Sequence, residues 1–124
     1  MRVLLSIKPE FVERIFEGTK KYEFRKSLFK RDDVTIVVIY ASSPIKRVVG
    51  EFEISEILSE DVDALWKRTK DYSGVTEDYY NTYFFMRKIA NAIRIGNVVR
   101  YDQPKSLSDY NLVRAPQSFC YLPE

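Results

Sequence analysis

The sequence contains no histidine and only one cysteine, Cys120, among its 124 residues. Histidine is the commonest general base and the commonest protein ligand of zinc, so its absence excludes imidazole-dependent catalytic triads and histidine-bound metal centres. A single cysteine can form neither an intrachain disulfide nor a thiolate–zinc cluster, as is usual in a reducing compartment. We therefore expect a cytoplasmic protein that uses no metal and no cofactor.

Long apolar runs are also missing from the chain. No stretch approaches the roughly 18 apolar residues that suggest a membrane helix, and Lys8 ends the short apolar run near the N-terminus, so neither a membrane span nor a signal peptide is expected. Glycine and proline are scarce, at 4 and 5 residues, whereas 45% of the chain is hydrophobic and 31% is charged. This composition excludes disorder and predicts one folded domain over residues 1–124.

The net charge is only +2, but the charges are unevenly distributed along the chain. Residues 1–47 hold 11 Lys or Arg against 6 Asp or Glu, and residues 86–124 hold 6 against 3. The middle of the chain, residues 48–85, is acidic, with 3 against 9. A basic surface built from the two ends would suit a polyanion such as a nucleic acid. The alternative is that neighbouring surfaces neutralise each other.

Hydrophobic periodicity predicts more strands than helices. Pro9 opens and Gly18 closes an amphipathic helix over 9–17. Alternating or continuously apolar segments predict strands over 2–8, 20–26, 35–41, 47–57 and 89–101, followed by a short apolar tail over 115–122. This order lacks regular βαβ alternation. It predicts the α+β class, as a small mixed β-barrel with peripheral helices.

A helical insertion is expected at about 59–86, in the acidic part of the chain. Ser59 is predicted to cap its first helix and Thr76 its second. Four aromatic residues recur through the second helix at the spacing of a stripe that faces the protein core more often than a ligand: Tyr79, Tyr80, Tyr83 and Phe84.

A charged motif lies between the first helix and the second strand. Residues 18–25 read Gly-Thr-Lys-Lys-Tyr-Glu-Phe-Arg, which is the pattern G-x-K-x-x-E-x-R. This pattern resembles the signature of the ASCH domain family, part of the PUA-like superfamily. The segments 5–9, 40–44 and 49–52 are also similar to that family. Within it, the chain resembles a small prokaryotic and archaeal branch described as predicted transcriptional regulators.

The resemblance implies a barrel of five or six strands with a cleft beside the motif. Related proteins of the superfamily bind RNA or modified bases. Some ASCH proteins hydrolyse N4-acetylcytidine, and others are described as ribonucleases. The fold alone does not decide among these activities.

The motif residues Lys20, Glu23 and Arg25 are expected to converge on that cleft. Glu23 and Arg25 lie two residues apart in a strand, so both side chains point to one face and can form an ion pair. The planar fork of Arg25 can hold a phosphate or a base edge. Lys20 joins them only if it lies in the turn after Gly18. The alternative is that the ion pair closes the mouth of the barrel and binds nothing.

Further candidates for binding a nucleic acid lie outside those three positions. Lys8 is close to a helix N-terminus, which attracts anions. Lys21 and Lys26 could contact backbone phosphates, and Gln117 could hydrogen-bond a base.

Two serines, Ser42 and Ser43, end a predicted buried strand. They could donate hydrogen bonds to a phosphate or base, although forming the turn before Pro44 is the favoured interpretation. Cys120 has no histidine to activate it and no basic neighbour in sequence, so it is not a candidate nucleophile.

The preferred function is binding of a nucleic acid, RNA above DNA, or of a modified nucleotide, in transcriptional or RNA-level regulation. The alternative is a small hydrolase acting on RNA or on a nucleoside such as N4-acetylcytidine, with Lys20 and Glu23 as the acid–base pair. The ASCH amidohydrolases resemble this chain in the motif lysine but carry threonine where it has Glu23, which counts against their mechanism here. A third hypothesis is an interaction protein that docks a basic partner on the acidic insertion.

Overall fold

The computed structural model describes residues 1–123. Within this range the chain forms six strands and three α-helices, together with two short 3-10 segments, so the expected α+β class is confirmed. The strands are β1 (Arg2–Ile7), β2 (Tyr22–Arg25), β3 (Ile36–Ala41), β4 (Arg47–Asp61), β5 (Ile89–Lys105) and β6 (Phe119–Leu122). The α-helices are α1 (Pro9–Glu17), α2 (Val62–Thr69) and α3 (Glu77–Tyr83).

All six strands belong to one sheet in the order β2-β5-β4-β3-β1-β6. Strands β1 and β3 are parallel, and the other neighbouring pairs are antiparallel. The two outer strands, β2 and β6, do not pair with each other. The predicted barrel is therefore corrected to an open sheet, and a gap remains between its two outer strands.

Helix α1 packs on the sheet because its apolar residues recur on one face. Phe11, Val12 and Ile15 are buried in the main core beside β1 and β3. Pro9 occupies the first turn, where its missing N–H costs no hydrogen bond. Gly18 ends the helix in the left-handed region at φ 85°, as its type predicts for a C-terminal cap.

The insertion spans residues 62–88 and begins later than the sequence predicts. Ser59 is paired in β4, and the side chain of Asp61 caps α2 by accepting hydrogen bonds from the N–H groups of Asp63 and Ala64. The Ser59 prediction is wrong because β4 continues past its alternating segment in order to pair with β5. Thr76 does cap α3, accepting from the Tyr79 N–H at 3.1 Å.

The insertion has a small aromatic core of its own against the sheet. Tyr80 and Phe84 pack around Phe24 of β2, with ring centroids 5.1 and 6.2 Å from that ring. The Tyr80 hydroxyl donates to the Val62 carbonyl at 2.7 Å, and burial raises the pKa of this tyrosine. In the described part of the chain, every helix is too short or too polar to cross a membrane.

Candidate functional site

A cleft of about 490 Å³ opens where the sheet fails to close. It is bounded by the end of β1, the start of α1, strand β2, the insertion and the segment before β6. Its charged and polar lining comprises Ser6, Lys8, Lys20, Glu23, Arg25, Lys26, Ser27, Arg87, Gln117 and Ser118, and its apolar and aromatic lining comprises Ile7, Phe11, Phe24, Val75, Tyr79 and Tyr83.

Lys20 lies at the base of the cleft and is only 2% exposed. It lies in the turn after Gly18 and before β2 begins, which brings its side chain to the same site as Glu23. Its ammonium donates to the Ser73 carbonyl at 2.8 Å and lies 5.1 and 5.0 Å from the ring centres of Phe11 and Phe24. Burial lowers the pKa of Lys20 from 10.5 to about 8, against the opposing effect of the Glu23 carboxylate. Lys20 can therefore release its proton more readily than an ordinary lysine.

Glu23 and Arg25 point to the cleft from the same face of β2. Glu23 Oε2 accepts a hydrogen bond from Arg25 Nη1 at 3.3 Å, and the Glu23 side chain is only 7% exposed. No described residue donates to the other carboxylate oxygen, Glu23 Oε1, which is not a fully buried atom. This oxygen is therefore available to accept a hydrogen bond from a ligand.

Arg25 spans the gap between the edges of the sheet. Its Nη2 atom donates to the Ser118 carbonyl at 2.7 Å, and its Nη1 atom contacts the Ser6 carbonyl at 3.5 Å as well as Glu23. Because both terminal nitrogens have protein partners, Arg25 first of all organises the cleft. The ion pair with Glu23 that the sequence predicts is present, and the binding of a phosphate or base edge by Arg25 stays a prediction.

Part of the cleft lining is aromatic, and we call Tyr79 and Tyr83 the aromatic wall. Tyr79 and Tyr83 lie one helical turn apart on α3, with nearly parallel rings at 10° and centroids 6.2 Å apart. The ammonium of Lys8 lies 5.1 Å from the centre of the Tyr79 ring, and that of Lys26 lies 4.9 Å from the centre of the Tyr83 ring. Burial raises the pKa of Tyr83, so its hydroxyl stays protonated near neutral pH.

The model of the ASCH domain family matches residues 5–99 of this chain. The chain belongs to the ASCH domain family. Its structure is similar to the crystal structure of ASCH from Zymomonas mobilis, with a TM-score of 0.90, 28% sequence identity, and coverage of 99% of this chain and 88% of that one.

Two curated relatives are similar to this ASCH domain over almost its whole length. An ASCH domain-containing ribonuclease of Zymomonas mobilis subsp. mobilis is 31% identical over 125 residues, covering 96% of this chain and 82% of that protein. A protein of Ureaplasma parvum serovar 3 named large ribosomal subunit protein uL22 is 27% identical over 120 residues. That match covers 97% of this chain but 39% of the relative, so the chain spans well under half of it.

The ASCH fold brings five of the sequence-predicted site residues to one cleft and leaves three outside it. Lys21 points away, with its ammonium 4.6 Å from the centre of the Tyr72 ring, because it follows Lys20 on the opposite side of the chain. Ser42 and Ser43 lie in the turn after β3, where the Ser42 carbonyl accepts the N–H of Ile45 at 3.1 Å. The five residues lining the cleft are Lys8, Lys20, Glu23, Arg25 and Gln117.

The aromatic wall of this ASCH domain was missed at the sequence level. The four-residue stripe of α3 divides into two pairs: Tyr80 and Phe84 are buried in the insertion core, as expected, whereas Tyr79 and Tyr83 line the cleft. Arg87, just beyond α3, was also missed. The sequence does carry one indication of this aromatic wall. Four aromatic residues make a stripe wider than the buried face of one helix, so two of the rings must face something other than the core.

Residues 1–123 contain no group of three or more Cys, Asp or Glu side chains placed to hold a metal ion. The chemistry that these residues can supply consists of cations for phosphates, aromatic faces for bases, and one buried carboxylate in the same cleft as an amine whose pKa is lowered to about 8.

Proposed function

We propose that this ASCH domain binds single-stranded RNA and that its cleft takes one unstacked nucleotide. The observation that carries the proposal is the aromatic wall, where the ammonium groups of Lys8 and Lys26 lie beside two nearly parallel tyrosine rings. Proteins recognise single-stranded RNA by stacking splayed bases on aromatic side chains and by holding phosphates with lysine or arginine. Both chemical requirements are present within one cleft.

The dimensions of the cleft favour a single strand over a duplex. A volume of about 490 Å³ lies in the range of small-ligand sites and suits one nucleotide. A paired base stays stacked inside a duplex and cannot reach Lys20 or Glu23 at the base of the cleft without being flipped out. A regulatory role would therefore act through RNA strands or flipped bases, and not through the reading of intact duplex DNA.

Fluorescence polarisation with short labelled oligonucleotides tests the binding proposal. We expect single-stranded RNA to bind more tightly than a duplex of the same sequence, with affinity that falls as salt rises. The double variant Lys8→Ala/Lys26→Ala should bind more weakly and show a smaller salt slope. The matched control is Lys67→Ala/Lys70→Ala, which removes two exposed lysines outside the cleft and should bind like the wild type. Equal affinity for all three proteins would contradict the proposal.

A second candidate function, RNA cleavage, is favoured by the placement of Lys20 and Glu23 in one cleft and by the relative named as a ribonuclease. In this reaction the Glu23 carboxylate takes the proton of a ribose 2′-hydroxyl, and the freed oxygen attacks the adjacent phosphorus. The bond from phosphorus to the 5′-oxygen breaks, and the Lys20 ammonium gives that oxygen a proton. The products are a 2′,3′-cyclic phosphate and a 5′-hydroxyl, and no metal ion is needed.

Cleavage is tested with an RNA oligonucleotide in the presence of a chelator, using mass spectrometry to identify the product ends. We expect cyclic phosphate ends from the wild type, and none from RNA whose 2′-hydroxyls are replaced by hydrogen. Lys20→Met and Glu23→Gln should both be inactive. Lys21→Met is the matched control, because Lys21 adjoins Lys20 in sequence but lies outside the cleft. Activity retained in Lys20→Met would overturn the cleavage mechanism while leaving RNA binding in place.

A further inference from the structure

A three-residue loop of the insertion, residues 73–75, covers Lys20, and we call it the covering loop. The Ser73 carbonyl accepts the hydrogen bond of the Lys20 ammonium at 2.8 Å. Gly74 lies against the aliphatic part of the same side chain. A Cβ placed on Gly74 would come within 2.4 Å of Lys20 Cβ and 2.8 Å of Lys20 Cδ, and the glycine is in the left-handed region at φ 70°. Only glycine fits this position without displacing the loop.

One residue of α1 holds both sides of this contact. Arg14 Nη1 donates to the Gly74 carbonyl at 2.7 Å and so ties the covering loop to the helix. The carbonyl of Arg14 accepts a hydrogen bond from the backbone N–H of Lys20 at 3.1 Å and so holds the Lys20 backbone against the end of α1. The Phe11 ring lies close to both cations, with its centre 5.7 Å from the Arg14 guanidinium carbon and 5.1 Å from the Lys20 ammonium.

We propose that Arg14 and Gly74 are positioning residues, which hold the covering loop over Lys20 and keep water away from its amine. The proposal concerns the proton affinity of Lys20, and its importance for catalysis rests on the proposed RNA cleavage. Residues outside the motif, more than fifty positions apart in sequence in the case of Gly74, thus set the acid strength of the motif lysine.

The electrostatics of the pocket agree with this assignment. The charges that act on Lys20 among the described residues are the Glu23 carboxylate from β2, which raises its pKa, and the Arg14 guanidinium from α1, which lowers it. The covering loop contributes a carbonyl group but no charge. Burial has the largest effect on the pKa of Lys20, so displacing the loop should change it even when every charge is kept.

The experiment is a pH titration of the lysine side chains by heteronuclear NMR on the full chain without RNA. The Lys20 signal is identified by its loss in Lys20→Met. We expect a midpoint near 8 in the wild type and a rise of about one pH unit or more in both Gly74→Ala and Arg14→Met, since water reaches the amine in each. Gly74→Ala changes no charge, so its shift reports the loop alone. Arg14→Lys keeps the charge and one donor, and its midpoint should lie between those of the wild type and Arg14→Met.

The control Arg68→Met removes an exposed arginine paired with Glu60, away from the cleft, and should leave the Lys20 midpoint unchanged. If Gly74→Ala does not fold, Arg14→Lys decides the question, because it keeps the charge at position 14 and a midpoint above that of the wild type then reports the lost contact with the covering loop. A wild-type midpoint that persists in every folded variant overturns the proposal. The same variants are assayed for RNA cleavage across pH. A raised Lys20 midpoint with an unmoved cleavage profile supports the positioning role and contradicts the proposed cleavage mechanism.

Discussion

Arg25 Nη2 donates a hydrogen bond to the Ser118 carbonyl over 2.7 Å, joining residues 93 positions apart. Arg25 is the last residue of β2 and Ser118 directly precedes β6, so this bond links the two outer strands of the open sheet. In a closed barrel, backbone hydrogen bonds between the two outer strands would join them; here one arginine side chain joins them instead. It leaves room for the cleft, which a continuous ladder would fill.

We expect Arg25→Lys to destabilise the fold as well as the site. Lysine keeps the charge but cannot donate to Ser6, Glu23 and Ser118 from a planar fork. The partly buried carbonyls of Ser6 and Ser118 lose this donor, which should lower the free energy of unfolding by about 1–2 kcal/mol. Urea unfolding measures this. Arg100→Lys is the control, because Arg100 is exposed and its contact with Glu13 is 3.8 Å; a loss of the same size there would contradict the account.

We expect Tyr79→Ala and Tyr83→Ala each to weaken binding of single-stranded RNA about tenfold, because stacking on an aromatic ring is worth about 1–3 kcal/mol per base. Tyr79→Phe keeps the stacking face and should bind like the wild type. Tyr72→Ala removes a tyrosine that is 51% exposed and outside the cleft. If Tyr72→Ala weakens binding as much as Tyr79→Ala, the RNA does not use the aromatic wall.

The pKa of Lys20 predicts how stability depends on pH. Because its pKa is about 8 in the folded chain and 10.5 when unfolded, the unfolded state holds more protons between those values. The free energy of unfolding should therefore rise with pH from 8 to 10.5, by about 3 kcal/mol from this group. Below pH 8 the amine is charged in both states and its contribution is constant. The measurement compares urea unfolding of the wild type and Lys20→Met across this range.

Lys20→Met should lack that rise. Lys21→Met should retain it, because the Lys21 ammonium lies over the exposed ring of Tyr72 and not in the cleft. Comparing variants removes the contributions of the other lysines and tyrosines that titrate in the same range. A wild-type curve parallel to that of Lys20→Met would mean that the amine is hydrated in solution.

Glu23→Gln should separate RNA binding from proton transfer. The Glu23 charge raises the pKa of Lys20, so removing it should lower the NMR midpoint of Lys20 below its wild-type value near 8. RNA binding should persist, because a carboxylate that repels phosphate is lost, while cleavage should disappear with the base. Glu17→Gln, an exposed change at the end of α1, is the control. A Lys20 midpoint unchanged by Glu23→Gln would contradict the coupling of the two groups.

Local rules predicted the parts of this fold that depend on neighbours in sequence. Helix α1 is confirmed at 9–17 because Pro9, the apolar pairs and Gly18 act within one short segment. The shared face of Glu23 and Arg25 follows from the two-residue period of a strand. The start of α2 was misplaced because strand pairing with β5, and not the capping tendency of Ser59, decides where β4 ends.

The partners of the site residues could not be predicted in the same way. Arg25 and Lys20 donate to backbone carbonyls at Ser118 and Ser73, and every residue type carries a carbonyl. The pattern of α3 likewise showed that rings recur at helical spacing without showing which pair faces the sheet. That choice depends on the position of Phe24, which fixes Tyr80 and Phe84 in the core.

The point where the insertion joins the sheet has a consequence for how this domain can diversify. Asp61 pairs with Ile89, and the Val62 N–H donates to the Lys88 carbonyl at 3.0 Å, so the insertion leaves and re-enters the sheet at neighbouring positions. The insertion is joined to the sheet at one place, between the end of β4 and the start of β5. Its length can therefore vary without shifting the pairing of β4 with β5, provided that its contacts with Lys20 and Phe24 are kept. Because the insertion carries Tyr79, Tyr83 and the covering loop, one exchange would change the aromatic wall of the cleft and the cover over Lys20 together.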